Sequence, residues 1–115
     1  IAPGDKHMRI EKNGNNYIVR CFSGDKVNGH CPSIDVLFES IAEEIGEKAV
    51  GVLLTGMGKD GAKGLLKIKS SGGYTIAQDE QSCVVYGMPK EAVSINAATD
   101  VVPLNNILEH IINYI

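Results

Sequence analysis

Residues 49–64 read AVGVLLTGMGKDGAKG, an apolar run followed by a glycine-rich segment that carries a single carboxylate, Asp60. An apolar run without alternation is typical of a strand buried on both faces of a parallel sheet. The glycines that follow indicate a tight turn from this strand into a helix. Because ligands and catalytic groups collect at the carboxyl ends of strands in open α/β sheets, we expect the functional site at this turn.

Helices and short strands alternate along the rest of the chain. Residues 9–12 and 17–22 flank an Asn-Gly turn and predict a β-hairpin. The remaining pattern predicts strands at 49–54, 74–77 and 101–102, the last at a sheet edge, and helices at 34–45, 61–71, 89–95 and 104–115. This alternation predicts an α/β fold with a parallel sheet and right-handed crossovers, preceded by the hairpin.

Composition excludes several classes of function. The chain has 115 residues and a net charge of −3, with no basic cluster that would indicate nucleic-acid binding. No apolar run approaches the roughly 18 residues of a membrane span, so we expect no membrane insertion. Three cysteines without CxxC spacing, Cys21, Cys31 and Cys83, suit reduced thiols in a cytoplasmic protein. Cys21, His30 and Cys31 lack the spacing of a closed zinc site, and we expect no metal and no cofactor.

Asp60 has two interpretations at this stage. It can be the N-cap of the helix that follows, since aspartate is among the best capping residues. It can also be the acid that orients a histidine in a nucleophilic triad. The backbone N–H groups of Met57 and Gly58 would then suit an oxyanion hole, which requires donors fixed in place. The sequence alone does not separate this role from that of glycines that only make a tight turn.

A nucleotide-binding module is an alternative function for the same turn. Gly56, Gly58 and Gly61 match the G-x-G-x-x-G fingerprint, and they lie between a predicted strand and a predicted helix. The acidic residue expected about 20 positions further on would have to be Asp79 or Glu80. A third alternative is a non-catalytic remnant whose helices make only protein contacts.

Other candidate residues are explained more simply by structure. A lone loop histidine such as His30 is usually solvated. His30, Ser33 and Asp35 are too close in sequence to form a triad, and Ser33 suits the N-cap of the helix at 34–45. Cys83 has no identifiable base nearby and suits a small buried apolar role.

Five segments together resemble one protein family, the bacterial chemotaxis receptor methylesterases, which are protein-glutamate methylesterases. The resemblance runs in order along nearly the whole chain. The segments are IAPGDKHM at 1–8, PSIDVLF at 32–38, GVLLTGMGKDG at 51–61, TIAQDE at 75–80 and SCVVYGMPKEA at 82–92.

The resemblance implies a Rossmann-like doubly wound α/β domain with a mostly parallel sheet. It also implies a Ser-His-Asp esterase that hydrolyses glutamate γ-methyl esters, with deamidation of glutamines by some members. It implies that Asp60 is the triad acid and that the backbone N–H of Met57 is one oxyanion donor. It also places three further residues near the active site: His30, Gly56 and Gly58.

The chain departs from the family pattern in two ways. The serine and histidine of the family lie in Ser-Thr-Gly-Gly and Gln-His-Met motifs, and neither motif occurs here. We therefore expect residues 1–115 to be the C-terminal portion of a catalytic domain truncated at its N-terminal side, with nucleophile and base upstream, and to be inactive alone. The arginines that commonly flank the family's loop histidine are Gly29 and Cys31 here, a change that concerns substrate contacts.

The resemblance also implies partners. We expect the cytoplasmic domain of a methylated chemotaxis receptor as substrate and a response-regulator receiver domain in the parent chain. The sheet edge left without its neighbouring strands should favour self-association of the chain.

Overall fold

The computed structural model describes all 115 residues and contains two sheets. The first is the predicted antiparallel hairpin, and the second is a parallel sheet of three strands in the order β3-β4-β5. The strands are β1 (His7–Asn13), β2 (Asn16–Phe22), β3 (Val50–Leu53), β4 (Tyr74–Gln78) and β5 (Asp100–Val102). The helices are α1 (Ile34–Glu44), α2 (Ala62–Ser70), α3 (Met88–Ser94) and α4 (Leu104–Tyr114), with a 3-10 turn at Gly46–Lys48. This is the predicted α/β class, and β5 is an edge strand as expected.

Helices cover both faces of the parallel sheet, as in a doubly wound fold. On one face, Leu53 of β3 packs with Leu65 of α2 and Ala92 of α3. On the other face, Ile107 of α4 packs on a cluster that includes Ile76 of β4. The sheet is therefore the middle layer of three.

The prediction that the first parallel strand is buried on both faces was wrong in part. Gly51 and Leu53 are buried, but Val50 and Val52 are only partly buried. The reason is position, because β3 lies at an edge of the sheet and α2 covers only its Leu53 side. The strand buried along its whole length is β4, which lies between the other two.

The apolar face of α4 is also less buried than its periodicity predicts. Only Ile107 is buried, whereas Leu108 and Ile112 are 66% and 58% exposed. The apolar face is wider than the three-stranded sheet beneath it, so the outer row of side chains has no surface to cover. None of the helices combines the length and the apolarity that a membrane span needs.

Helix α1 packs against the hairpin and α2. The N–H of Ile10 in β1 donates to the hydroxyl of Ser40 at 2.9 Å. On the other side, a Cβ added at Gly64 of α2 would lie 2.5 Å from Cβ of Phe38, so the absence of a side chain allows the close crossing. This crossing brings the N-termini of the two helices together beside the glycine-rich turn.

Candidate active site

The glycine-rich turn after β3 is fixed by the segment that precedes α3. The N–H of Gly56 donates to the carbonyl of Val85 at 3.1 Å, and the carbonyl of Gly56 accepts the N–H of Met88 at 2.9 Å. The hydroxyl of Thr55 accepts the N–H of Val85 at 2.8 Å. The N–H of Thr55 in turn donates to the buried amide oxygen of Gln78 at 2.8 Å. These bonds fix the start of the turn, Thr55 and Gly56, against the segment before α3 and the end of β4.

Gly87 lies against the backbone of the turn. A Cβ at this position would come within 2.6 Å of the carbonyl oxygen of Gly56 and 3.1 Å of the nitrogen of Gly58. The N–H groups of Met57 and Gly58 themselves donate to no acceptor in the chain. The N–H groups of Lys59 and Asp60 are unpaired as well, so residues 57–60 present four free backbone donors on a supported backbone, and an oxyanion hole requires donors that are fixed in this way.

The carboxylate of Asp60 is buried and accepts four hydrogen bonds. Its Oδ1 accepts from Nδ2 of Asn28 at 3.0 Å, from Oγ of Ser33 at 2.7 Å and from the N–H of Asp35 at 3.3 Å. Its Oδ2 accepts from the N–H of Ile34 at 2.7 Å. Burial acts to raise the pKa of Asp60, but the hydrogen bonds, with that of Asn28 foremost, outweigh it and lower the pKa below its ordinary value of 3.8. Asp60 is therefore ionised at neutral pH.

The interpretation of Asp60 as the N-cap of the following helix is wrong, because Asp60 caps α1 instead. The N-cap of α2 is Gly61. The N–H groups of Gly61 and Gly64 donate to Oδ1 of Asp35, at 3.1 and 2.7 Å. Each of the two helices is thus capped by a carboxylate from the segment of the other. Ser33 occupies the N-cap position of α1 as predicted, but its hydroxyl donates to Asp60 and does not cap the helix.

The capping of α2 argues against a nucleotide site at this turn. In a dinucleotide-binding fold the pyrophosphate sits at the N-terminus of this helix. Here Asp35 occupies that position with a carboxylate, which would repel a phosphate. Asp79, a candidate for the ribose contact, accepts the N–H and the hydroxyl of Ser82 at 3.0 and 2.6 Å within its own loop.

The remaining candidate residues do not form a second catalytic cluster. His30 is exposed in a tight turn closed by backbone hydrogen bonds with Val27 of 2.9 and 3.0 Å. Neither Ser33 nor Asp35 forms a hydrogen bond with His30, so the three side chains form no triad, as the sequence argument expected. All three cysteines are free thiols, and burial raises the pKa of the Cys83 thiol, so this group is a poor nucleophile.

Sequence reasoning missed Asn28 and His7, two side chains that organise the site. Asn28 lies in the loop before α1 and has a left-handed φ of 54°. His7 is buried, and its Nδ1 accepts the N–H of Ser33 at 3.1 Å while its Nε2 lies 2.7 Å from the carbonyl oxygen of Asp25. Both ring nitrogens of His7 are occupied by backbone groups, so this histidine supports the loop and does not serve Asp60. The only sequence signal for Asn28 was its Asn-Gly dipeptide, which is typical of turns.

These features define a class: a doubly wound α/β domain in which a glycine-rich turn combines unpaired backbone donors with a buried, ionised carboxylate. A family model described as CheB methylesterase matches residues 1–111, and the chain belongs to this family.

Individual relatives agree with the family. A protein-glutamate methylesterase/protein-glutamine glutaminase 2 of Pseudomonas aeruginosa is 58% identical over 107 residues, which are 93% of this chain and 31% of the relative. A protein of the same description from Bordetella avium is 55% identical over 113 residues, 97% of this chain and 32% of the relative. The crystal structure of the Thermotoga maritima CheB methylesterase catalytic domain matches with a TM-score of 0.96 and 38% identity, covering 99% of this chain and 60% of that one. The chain thus spans about a third of the length of these curated relatives.

Proposed function

We propose that the protein containing this chain hydrolyses glutamate γ-methyl esters on chemotaxis receptors, with Asp60 as the acid of a Ser-His-Asp triad. One observation carries the proposal: a buried, ionised carboxylate lies in the same turn as the unpaired backbone N–H of Met57, three residues along the chain. The printed descriptions of the relatives name the same reaction and a glutaminase activity. Residues 1–115 form the C-terminal portion of the catalytic domain, and the serine and the histidine come from the part of the parent protein outside this chain.

The hydrogen bonds of Asp60 indicate which oxygen serves the histidine. Oδ1 accepts three hydrogen bonds, whereas Oδ2 accepts only the N–H of Ile34. A carboxylate oxygen has about two lone-pair sites, so Oδ2 has one left for an imidazole N–H. Asp60 would hold the ring in the tautomer that leaves its other nitrogen free to act as base.

The reaction proceeds through an acyl-enzyme. The serine hydroxyl attacks the ester carbonyl while the histidine takes its proton, and the N–H of Met57 stabilises the oxyanion that forms. The imidazolium then returns the proton to the leaving group, and methanol departs. Water attacks the acyl-enzyme by the same route and releases the glutamate carboxyl group and the serine. A glutamine amide would react in the same way and release ammonia.

Several residues around the turn would contact the substrate or shape its entrance. We expect His30, Gly56 and Gly58 to be among them, as the family resemblance implies. Gly29 and Cys31 stand where family members commonly have arginines, so any substrate contact made by those arginines would be lost here.

The partners follow from the same proposal. The substrate is the cytoplasmic domain of a methylated chemotaxis receptor, so the enzyme acts in the cytoplasm, and a receiver domain precedes the catalytic domain in the parent chain. No contact with nucleic acid and no insertion into the membrane is involved.

Substitution of Asp60 tests the function in the full-length protein. We expect Asp60→Asn to lower methanol release from methylated receptor by on the order of 10⁴-fold, because the histidine loses the group that fixes its tautomer. The measurement is methanol release from receptor carrying labelled methyl groups. Asp5→Asn is the matched control, since Asp5 is exposed and its carboxylate makes no hydrogen bond.

Turnover near that of the wild type in Asp60→Asn would contradict the assignment of the acid. Binding of NAD or ATP to the full-length protein, measured by calorimetry, would instead favour the nucleotide-binding alternative. Absence of both methanol release and nucleotide binding in the wild-type full-length protein would point to the non-catalytic remnant.

A further inference from the structure

The side-chain amide of Asn28 lies between two buried carboxylates. Its Nδ2 donates to Oδ2 of Asp35 at 2.6 Å and to Oδ1 of Asp60 at 3.0 Å. The two N–H bonds of one amide group are thus shared between the two helix caps described above. No other side-chain nitrogen contacts either carboxylate.

The backbone around Asn28 fixes the position of this amide. Val27 and His30 exchange two backbone hydrogen bonds of 2.9 and 3.0 Å. Between them, Asn28 and Gly29 have φ values of 54° and 81°, the left-handed pair typical of a tight two-residue turn. The turn is closed on itself, so the asparagine side chain is held over the carboxylates and not carried on a free loop.

The surroundings of Asp35 show why an amide donor is needed there. Asp35 accepts from three donors, two of them the N–H groups at the start of α2, and it lies against the same amide as Asp60. Like charges that share a site repel one another unless donors lie between them. Asn28 supplies those donors, and removal of its amide leaves the two carboxylates facing each other.

We propose that Asn28, with Asp35 behind it, is a positioning residue that fixes the carboxylate of Asp60 for the histidine of the triad. This proposal rests on the function proposed above and extends it to residues outside the triad. Asn28 binds Oδ1 and thereby leaves Oδ2 turned toward the histidine.

The first test is Asn28→Gly in the full-length protein, because glycine adopts the left-handed φ and removes only the side chain. We expect kcat for methanol release to fall about tenfold, within the roughly 10²-fold that misplacement of a catalytic group can cost, with KM little changed. Asn28→Asp, which replaces a donor by a third carboxylate, should lower kcat further. Asn96→Gly is the matched control, since Asn96 also has a positive φ of 61° but lies at the end of α3, where it contacts Lys69.

A double-mutant cycle separates positioning from a structural role. If Asn28 acts through Asp60, Asn28→Gly should cost almost nothing in an Asp60→Ala background. An equal loss of kcat in both backgrounds, or no loss in either, would overturn the positioning role while leaving the triad assignment intact. Near-normal kcat in Asp60→Ala alone would instead overturn the proposed function. Circular dichroism melts show whether each variant is folded. The cycle is then repeated with Asp35→Asn in place of Asn28→Gly. This substitution keeps the volume of the side chain but offers one acceptor oxygen to three donors.

Discussion

At Gly87, the backbone of one segment packs directly on the backbone of the glycine-rich turn. The φ of this residue is −108°, so an alanine is allowed by its own conformation. Its methyl group, however, would meet the carbonyl of Gly56 and the nitrogen of Gly58. We expect Gly87→Ala to displace the N–H of Met57 and to lower turnover at least about tenfold, measured as methanol release by the full-length protein. Overpacking of this kind should also cost about 1–3 kcal/mol of unfolding free energy.

Gly4→Ala is the control for this substitution. A Cβ at Gly4 would meet nothing within 4 Å, so its effect on stability should stay within about ±0.5 kcal/mol. Wild-type turnover in Gly87→Ala would mean that the turn is not part of the oxyanion hole.

The sequence identified the residues of the turn but not those that support them. A glycine-rich segment directly after an apolar strand indicated the turn that carries Asp60, Met57 and Gly58, while the triad and oxyanion roles came from the family resemblance and stay predictions. Asn28 lies 32 residues away in a loop, and its contact with Asp60 depends on a positive φ and on the packing of α1 against α2. No periodicity in the sequence encodes that contact.

At the level of elements, α1 and α2 depend on one another through their caps. Asp60 accepts the N–H of Ile34 at the start of α1, and its folded-state pKa is lowered. A carboxylate with a lowered pKa contributes stability that is fully present above its unfolded value of 3.8 and is lost as the pH falls through the folded-state pKa. We therefore expect the difference in unfolding free energy between wild type and Asp60→Asn to shrink as the pH is lowered below about 4.

Urea unfolding of this chain at a series of pH values from about 6 to about 2.5 measures this difference. Asp5→Asn is the control, because it removes one exposed negative charge from a residue that caps no helix. A difference that stays constant over this range would mean that the carboxylate form of Asp60 does not stabilise the helix.

Periodicity predicted nearly every helix and strand, because the apolar residues on a buried face recur with the period of a helix or a strand, and this holds for any surface that the face packs against. It could not predict which helix Asp60 caps, since both helix N-termini meet at the same point and only the crossing of α1 and α2 decides. It also overstated the burial of α4 and β3, because the pattern records an apolar face and not the width of the surface that covers it.

On the scale of the whole molecule, two features without a covering layer favour association. Strand β3 has a free edge in the order β3-β4-β5, and the outer row of α4 exposes apolar side chains, among them Leu108 and Ile112. Free strand edges and exposed apolar rows both favour contact with a second copy. We infer that the purified 115-residue chain self-associates, and sedimentation at several concentrations measures this. A concentration-independent monomer would contradict the inference.

The same chain should have no esterase activity. Ser33 and His7 belong to the hydrogen-bond network around Asp60: the hydroxyl of Ser33 donates to that carboxylate, and both ring nitrogens of His7 contact backbone groups. In a catalytic triad the serine hydroxyl donates to the imidazole, and the imidazole donates to the acid. Ser33 and His7 do not have this arrangement. We expect hydrolysis of a model ester such as p-nitrophenyl acetate to match that of the Ser33→Ala and His7→Gln variants. Hydrolysis by the chain that exceeds both variants would show that the triad lies within residues 1–115 and that the serine and histidine have been sought in the wrong place.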